Sequence, residues 1–392
     1  MGSGALKVAF LIAALLLAGC KGVANTPGPQ PDPSERAPSP VTATLSVAIP
    51  STPTQPQDNK NNTPPATRTP YPPTPSPHSP APVSQPIIPE NAASLIVADQ
   101  LQFSQWELVL AVAWSPDGDT LAVAAGEHIH LYEAGTFEER FTLSAGVWSP
   151  GLAFSQDSLL LASAGRDGYV RLWDTASGEA IYSIPAHKKG ANAVAFSPNG
   201  ELLASAGNDG MVRLWEAATA RPRGEMIGGA YAIPALAFTS DGLDLAIANG
   251  NVIRFRQVGS GRFSQTLRGD SSFYSLAIAP DGKTLASGDS ENTVWLWAIP
   301  DGEILFKLPA PRIEGSRSAS LVWHIAYSPD GGLLASAGGG QLIQVWDASS
   351  GELLTTLIEH TASVTSLAFS PDGRWLVTGG LDARVVLWRP DT

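Results

Sequence analysis

Short apolar runs separated by polar turns recur along the chain from about residue 108 to its end. Each repeat holds an apolar run that ends in a large side chain, a turn, a second run, another turn and a third run that ends in an aromatic residue. The first runs end at Trp114, Phe154, Phe196, Phe238, Ile278, Tyr327 and Phe369. These anchors are 40, 42, 42, 40, 49 and 42 residues apart, which predicts seven copies of one β unit.

The turns between runs use residues that suit tight turns between strands. The first and last anchors are followed by SPDG, at Ser115–Gly118 and Ser370–Gly373. Proline pre-sets φ at the second turn position, and Asp-Gly supplies a local hydrogen bond and a residue that tolerates positive φ. Runs such as LLASAG and MVRLW are short and apolar enough for strands buried between neighbouring sheets. No helical pattern lies between them, so the sequence predicts an all-β fold with sheets repeated around an axis.

Three stretches carry a more specific pattern. They read ASAGRDGYVRLWD at 162–174, ASAGNDGMVRLWE at 204–216 and TGGLDARVVLW at 378–388. These stretches resemble WD40 repeats, and the resemblance covers roughly residues 108–389. It implies a seven-bladed WD40-like β-propeller with four strands in each blade.

The resemblance also implies a hydrogen-bonded tetrad in complete repeats, made of a His before the first strand, a Ser or Thr in the second strand, an Asp in the next turn and a Trp in the third strand. The complete sets are His187, Ser205, Asp209 and Trp215 in repeat three, and His360, Thr378, Asp382 and Trp388 in repeat seven. Partial sets are Ser163, Asp167 and Trp173 in repeat two, Ser287 and Trp297 in repeat five, and Ser336 and Trp346 in repeat six. Repeats one and four, whose third runs end in Tyr132 and Phe255, hold none. Because two repeats carry the same four residue types, we expect a structural rather than a catalytic role.

The seventh repeat lacks a fourth strand of its own. Its third run ends at Trp388 and leaves four residues. The spare candidate is the apolar run at residues 94–103, before the first repeat. We expect this N-terminal strand to pair beside Val385–Trp388 and close the last blade, as in many WD40 proteins, which removes the open sheet edges.

The N-terminus has the pattern of an export signal. Lys7 precedes the apolar run Val8–Leu17, whose ten residues would span about 15 Å as a helix, half of a hydrocarbon core. Leu17–Cys20 reads LAGC and resembles the lipobox of bacterial lipoproteins. That resemblance implies a signal peptide at 1–19 and a diacylglycerol on Cys20, the only cysteine of the chain. An ordinary cleavable signal with a chance cysteine is the alternative.

Composition divides the rest of the chain in two. Of 33 prolines, 20 lie between Pro27 and Pro89, whereas all 11 tryptophans lie at Trp106 or later. We therefore predict a disordered Pro/Thr/Ser-rich tether at 20–88 and a propeller head at 89–392. Together with the signal, this predicts an exported protein that is lipid-anchored to a bacterial membrane and faces the periplasm or the cell exterior.

The charge of the head bears on its partners. Residues 91–392 carry 19 Lys and Arg against 32 Asp and Glu. An acidic head would be repelled by phosphate backbones, so we expect no nucleic-acid partner. We expect a monomeric head that binds protein partners, of unknown identity, on one face of the propeller.

Candidate chemistry is sparse. The sequence has no GxSxG, HExxH or P-loop motif. His128 and His130 are two residues apart and could share one face of a strand, but no cysteine or local carboxylate accompanies them, so we predict no metal site and no cofactor. The sequence thus predicts a non-enzymatic scaffold for protein or ligand binding. A propeller enzyme, or a TolB-like periplasmic propeller with a site at the central channel, is the alternative.

A candidate binding face follows from the loop lengths. The longest anchor spacing places an insertion at Leu308–His324, before the sixth first strand. Arginine and tryptophan are common interface anchors, which makes this insertion and two tryptophans at equivalent blade entries the best candidates. The predicted patch is Arg312, Arg317, Trp323, His324, Trp106 and Trp148. The alternative is a tolerated insertion with Trp323 packed within the first strand.

Overall fold

The computed structural model describes residues 85–311 and 321–391. These residues form 28 β-strands and one short 3-10 turn at Ala92–Ser94. The strands are arranged in seven antiparallel sheets of four strands each, which are the blades of a propeller. The prediction of an all-β, seven-bladed propeller is confirmed.

Six blades are built from consecutive strands, and the seventh combines both ends of the described chain. Blade 1 contains β2 (Val109–Trp114), β3 (Thr120–Ala125), β4 (His128–Glu133) and β5 (Glu139–Ser144). Blade 2 contains β6 (Gly151–Phe154), β7 (Leu160–Ala164), β8 (Tyr169–Asp174) and β9 (Ala180–Pro185). Blade 3 contains β10 (Ala191–Phe196), β11 (Leu202–Gly207), β12 (Met211–Glu216) and β13 (Pro222–Ile227). Blade 4 contains β14 (Leu236–Phe238), β15 (Asp244–Asn249), β16 (Val252–Gln257) and β17 (Phe263–Arg268).

The remaining blades follow the same plan. Blade 5 contains β18 (Phe273–Ile278), β19 (Thr284–Asp289), β20 (Thr293–Ala298) and β21 (Ile304–Pro309). Blade 6 contains β22 (Val322–Tyr327), β23 (Leu333–Gly338), β24 (Leu342–Asp347) and β25 (Leu353–Ile358). Blade 7 contains β26 (Val364–Phe369), β27 (Leu376–Gly380), β28 (Arg384–Pro390) and β1 (Leu95–Gln102). All seven predicted anchors are the last residues of the first strands of their blades.

Burial changes with the position of a strand in its blade. Every residue of β3 and β23, both second strands, is buried, because neighbouring blades cover both faces of these strands. The fourth strands β5 and β9 bury only one residue each and lie at the rim. The core is therefore a series of apolar layers between adjacent blades, and one layer joins Leu172 of blade 2 to Trp215 of blade 3.

The SPDG turns are held by their own side chains. The Ser115 hydroxyl donates to Asp117 Oδ1 at 2.5 Å and accepts from the backbone N–H of Thr120 at 2.9 Å. Gly118 has a φ of 80°, a conformation that L side chains rarely adopt. The turn chemistry predicted from Pro, Asp and Gly is thus the one observed.

The N-terminal strand closes the ring. Strand β1 pairs antiparallel with β28, with Val97 opposite Trp388 and Gln102 opposite Arg384, and with one irregularity between Val97 and Asp99. The seventh sheet has the order β1-β28-β27-β26. The predicted pairing of residues 94–103 beside Val385–Trp388 is confirmed.

The packed head begins before residue 89. Ile87 is only 1% exposed, and its N–H donates to the Gly373 carbonyl at 2.8 Å. Its side chain packs in the same apolar layer as Leu95 and Trp388. The predicted signal peptide, Cys20 and the tether up to residue 84 lie outside the described residues. Within residues 85–311 and 321–391, no helix has the length and apolar character needed to cross a membrane.

Polar side chains link neighbouring blades near the central axis. Thr365 Oγ1 of blade 7 donates to the Val109 carbonyl of blade 1 at 2.7 Å. In the same seam, the N–H of Val112 donates to Ser366 Oγ at 3.1 Å. The seam between the last and first blades is therefore joined by side chains at the axis as well as by β1 at the rim.

Candidate functional site

The third-repeat tetrad is assembled in the structure. The Trp215 indole N–H donates to Ser205 Oγ at 3.0 Å, and Ser205 Oγ lies 2.9 Å from His187 Nε2. His187 Nδ1 lies 2.9 Å from Asp209 Oδ1, and Arg213 Nη1 donates to Asp209 Oδ2 at 3.0 Å. This series of hydrogen bonds joins the third and second strands of blade 3 to the loop before its first strand and to the turn between its second and third strands.

Blade 7 repeats the arrangement with threonine in place of serine. The Trp388 indole N–H donates to Thr378 Oγ1 at 3.0 Å, and Thr378 Oγ1 lies 2.9 Å from His360 Nε2. His360 Nδ1 lies 3.0 Å from Asp382 Oδ1. Because the same geometry holds in two separate blades, it favours the structural reading of both sets.

The His and Asp side chains of each tetrad bond to one another. Burial lowers the pKa of the His187 imidazole, and the Asp209 carboxylate only partly offsets this effect. Burial raises the pKa of Asp209, but bonds with His187 and Arg213 outweigh it and leave that pKa below its usual value. Burial likewise raises the pKa of Asp382, and the bond with His360 outweighs it. The lowered pKa values of Asp209 and Asp382 keep both carboxylates ionised at neutral pH, where they hold the histidines of their blades.

Blade 2 uses arginine where the histidine is missing. The Trp173 indole N–H donates to Ser163 Oγ at 3.0 Å, as in the complete sets. Asp167 instead pairs with Arg171, whose Nη2 lies 2.6 Å from Asp167 Oδ2. The partial set is therefore split into two separate interactions. In blade 6, the Trp346 indole N–H donates to Ser336 Oγ at 2.9 Å.

Blade 5 contains a substitute network that sequence reasoning missed. The Trp297 indole N–H donates to Ser287 at 2.8 Å, as predicted for this partial set. Asp289, two residues after Ser287 rather than four, accepts from the Trp295 indole N–H at 2.8 Å and from Ser271 Oγ at 2.6 Å. The rings of Trp295 and Trp297 stack at 5.2 Å. The two tryptophans in TVWLWA could have indicated an additional indole donor. The expected tetrad spacing gave no sign that Asp289 would accept from Trp295.

Two carboxylates come close to the histidines of blade 1. His130 Nδ1 lies 3.3 Å from Glu139 Oε1, and His128 Nδ1 lies 3.9 Å from Glu107 Oε1. Neither glutamate belongs to the HIH run at residues 128–130. The fold brings these two carboxylates to the histidines, and the sequence alone did not indicate the two contacts. Among residues 85–311 and 321–391, no three His, Cys, Asp or Glu side chains are grouped to hold a metal ion.

One face of the propeller brings two sets of loops together. We call it the loop face, and it consists of the loops from each fourth strand to the next blade and the turns between second and third strands. The backbone N–H groups of Ala186 and His187 donate to the Gly168 carbonyl at 3.0 and 2.8 Å, which joins two such loops. Loops of both sets therefore lie side by side on this face.

Three of the predicted tryptophans lie at or beside an apolar cluster on the loop face. We call this set the loop-face cluster. It contains buried Leu108, Leu110 and Leu381 with partly buried Trp148, Trp323 and Ala362. Trp106, two residues before Leu108, is 59% exposed. Blades 1, 2, 6 and 7 thus contribute to one apolar cluster, and an exposed indole lies two residues away from it in the sequence.

The predicted insertion and His324 are described only in part. Trp323 and His324 lie in strand β22, so the insertion ends before them, and Trp323 packs within the first strand as the alternative had it. His324 contacts the first strand of blade 7, where its Nδ1 accepts from the Leu367 N–H at 3.4 Å. Arg312 and Arg317 lie outside the described residues. Of the predicted patch, the described structure brings Trp148 and Trp323 together in one cluster, and Trp106 lies two residues before its member Leu108.

His324 is expected to make stability depend on pH. Burial lowers its pKa to about 4, below the ordinary value of 6.5. As pH falls from 6.5 to 4, the unfolded chain binds a proton that the folded chain does not, so the free energy of unfolding decreases by about 3 kcal/mol. Urea unfolding of the wild type and of His324→Asn at pH 7 and pH 4 measures this difference.

The asparagine keeps an acceptor near the Leu367 N–H but does not titrate, so it should lose clearly less stability on acidification than the wild type. His128→Asn, at a more exposed histidine, is the matched control and should behave as the wild type. Equal losses in the wild type and His324→Asn would rule out His324 as the source.

Arg166 is a residue of the loop face that the sequence did not mark. It lies in the turn GRDG between β7 and β8, and its backbone N–H donates to the Trp148 carbonyl at 3.0 Å. Its Nε is buried without a hydrogen-bond partner. The motif predicted a turn, and nothing in the spacing distinguished Arg166 from the Asn208 that occupies the same place in blade 3.

Comparison with known proteins agrees with this architecture. The family described as "WD domain, G-beta repeat" (WD40) matches five segments, at residues 141–174, 178–216, 261–298, 309–347 and 351–389. The two long described stretches without a match, residues 85–140 and 217–260, hold most of blades 1 and 4, which lack the polar tetrad.

Three curated relatives show weaker similarity. "Protein HIR1" of Candida albicans is 27% identical over 30% of this chain, and "Centriole proteome protein 16" of Chlamydomonas reinhardtii is 28% identical over 29%. "Telomerase protein component 1" of Rattus norvegicus is 29% identical over 51% of this chain. The matches cover only 11%, 6% and 8% of the lengths of these relatives. This chain therefore spans only a small part of the length of each of these relatives.

Proposed function

We propose that the head is a protein-binding scaffold that uses its loop face, from the premise that its seven blades form a propeller and that five segments match the WD40 repeat. WD40 propellers typically serve as interaction scaffolds. The observation that carries the proposal is the loop-face cluster together with Trp106. Apolar side chains that converge on one face, with an exposed indole beside them, have the composition of a protein interface centre.

The tetrads support a scaffold rather than a reaction site. In each tetrad the His ring bonds to the Ser or Thr through Nε2 and to the Asp through Nδ1, so these polar atoms serve the packing of the blade. A rigid scaffold with exposed loops is a common platform for binding residues. The fold alone does not name the partner, so the proposal rests on the loop face.

We further propose that the head is held at a bacterial membrane through a diacylated Cys20, with residues 20–84 as a tether. The LAGC sequence after a short apolar run supports this anchor. Two or more acyl chains give durable attachment, since each buried CH₂ contributes about 0.8 kcal/mol. The scaffold would then present its loop face in the periplasm or outside the cell.

Photo-cross-linking of the full-length protein tests the binding face, and fractionation of the same cells tests the lipid anchor. A photoreactive phenylalanine analogue replaces either Trp106 or Leu159, which are both 59% exposed. Leu159 follows the turn between β6 and β7, on the face opposite the loop face, and is therefore a control matched for exposure. We expect discrete cross-linked proteins from position 106 and none from position 159.

Two results would contradict the proposal. Equal cross-linking at both positions, or cross-linking at position 159 alone, would remove the loop face as the binding surface. In the same cell fractions, Cys20→Ser is expected to move the protein out of the membrane fraction. A Cys20→Ser protein that stays with the membrane would refute the lipid anchor but leave the scaffold proposal intact.

A further inference from the structure

The guanidinium of Arg166 has no protein partner in the described chain. Its Nε is buried and unpaired, and no hydrogen bond or ion pair joins its side chain to any of residues 85–311 or 321–391. Burial lowers its pKa. A half-buried cation without a counter-charge costs stability, and side chains of this kind are retained where they serve binding.

Other arginines of the head differ from Arg166 in this respect. Arg171 and Arg213 each pair with an aspartate of their own blade, at 2.6 and 3.0 Å. Arg256 also has a buried, unpaired Nε, but its Nη1 and Nη2 donate to the carbonyls of Gly261 and Ile227 at 2.8 and 2.6 Å. These three arginines therefore have polar partners, which the side chain of Arg166 lacks.

Arg166 lies between an apolar surface and two lysines. On one side its backbone N–H bonds to Trp148, a member of the loop-face cluster. On the other side, a Cβ at Gly190 would be 3.1 Å from the Arg166 carbonyl, which places the exposed Lys188 and Lys189 in the adjacent loop. The corner of blades 2 and 3 therefore combines three cations with an apolar neighbour.

The carboxylates of this corner are already paired. Asp167 pairs with Arg171, and Asp209 is held by His187 and Arg213. Arg213 also lies 3.7 Å from the exposed Glu225 at the rim. Arg166, Lys188 and Lys189 are therefore a local basic group on a head that carries 19 cations against 32 acids over residues 91–392.

We propose that the loop face binds an acidic peptide segment of its protein partner, with one carboxylate on Arg166 and a neighbouring apolar side chain on the loop-face cluster. The inference rests on the proposed scaffold function and specifies the chemistry of the partner. Guanidinium binds carboxylate through two parallel hydrogen bonds. A singly charged carboxylate suits one unpaired guanidinium, and the acidic head repels a phosphate dianion more strongly.

Selection of peptides tests the inference without a known partner. Random heptapeptides displayed on phage are selected on the purified full chain, and selected sequences are made as fluorescein-labelled peptides. We expect enrichment of Asp or Glu next to Phe, Leu or Trp. By fluorescence polarisation, Arg166→Gln should raise the Kd of these peptides at least tenfold. Arg223→Gln removes an equal charge at the exposed fourth strand β13 and should leave the Kd unchanged.

Thermal unfolding separates a binding role from a structural one. Because the side chain of Arg166 forms no hydrogen bond or ion pair with the described residues, Arg166→Met is expected to keep or raise the Tm. Arg256→Met, which removes two hydrogen bonds to carbonyls, is expected to lower it. A fall in Tm for Arg166→Met as large as that for Arg256→Met would show a structural role and overturn the inference.

The outcomes distinguish this inference from the proposed function. The selected peptides could lack acidic residues and lose binding in Trp148→Ala but not in Arg166→Gln. This result would support the loop face as a binding surface but contradict the acidic peptide as its ligand. Selected peptides unaffected by both substitutions would count against both proposals. Phosphoserine in place of the acidic residue could bind more tightly and still depend on Arg166. This result would show that the ligand is a phosphopeptide and not a carboxylate-bearing peptide.

Discussion

Removal of residues 85–104 is expected to unfold the head or to leave it at the margin of stability. The deletion exposes the edge of β28 and removes the buried side chains of Ile87 and Leu95, each worth about 1.5–3 kcal/mol. Backbone hydrogen bonds add about 0.5–1.5 kcal/mol each. The total loss of at least about 5 kcal/mol is comparable with the whole free energy of unfolding of an ordinary domain. Urea unfolding followed by tryptophan fluorescence measures it.

The deletion has a specific control and a specific rescue. Deleting residues 50–69, which lie outside the described structure, should leave the unfolding midpoint unchanged. A synthetic peptide of residues 85–104 should bind the shortened chain by adding a strand to the free edge and should raise the midpoint again. A shortened chain as stable as the full one, with no response to the peptide, would refute the closure of blade 7 by β1.

Trp388→Ala is expected to lower the free energy of unfolding by about 3–5 kcal/mol. The side chain is 3% exposed and packs in the layer that contains Ile87 and Leu95, so its removal leaves a cavity. The substitution also removes the indole donor to Thr378 Oγ1. Equilibrium unfolding in urea gives the change in midpoint and slope.

Trp106→Ala is the matched comparison for Trp388, because the same side chain is removed from an exposed site. It should change the free energy of unfolding by less than about 0.5 kcal/mol. Trp388→Phe should fall between the two, since it fills part of the cavity but loses the donor. A loss below about 1 kcal/mol for Trp388→Ala would contradict its assignment as a core member of the tetrad.

The repeated part of the fold could be predicted because each blade solves the same packing problem with the same residue types. The anchors from Trp114 to Phe369 mark the ends of the first strands, where a large side chain fills the layer between blades. The closing strand was predictable by counting, since a blade with three strands leaves an open edge. Both inferences depend on periodicity and not on details of one position.

The parts that escaped prediction depend on contacts between residues distant in sequence. Glu139 approaches His130 because β5 pairs with β4 in one particular register, which the sequence does not specify by itself. Asp289 replaces the usual turn aspartate by accepting from Trp295, a solution outside the expected spacing. That Arg166 lacks a partner is visible only once every neighbouring carboxylate has been placed.

The start of the head was predicted two residues late for a related reason. Pro86 and Pro89 continue the proline-rich composition of the preceding segment, and the two isoleucines between them are too weak a signal to mark a core. In the structure, Ile87 is fixed by the carbonyl of Gly373, in the turn between β26 and β27. A single backbone bond and one buried side chain thus extend the head beyond its compositional boundary.

The position of that first contact determines how the head would carry tension. The chain enters beside Gly373, on the face opposite the loop face, and β1 then runs towards the loop face at Gln102. If the chain before residue 85 is held and a partner on the loop face is pulled, β1 is drawn along its own axis against β28. The hydrogen bonds between these antiparallel strands are then strained together in shear, and not opened one after another. The strand that closes the ring is thereby placed to resist mechanical extraction.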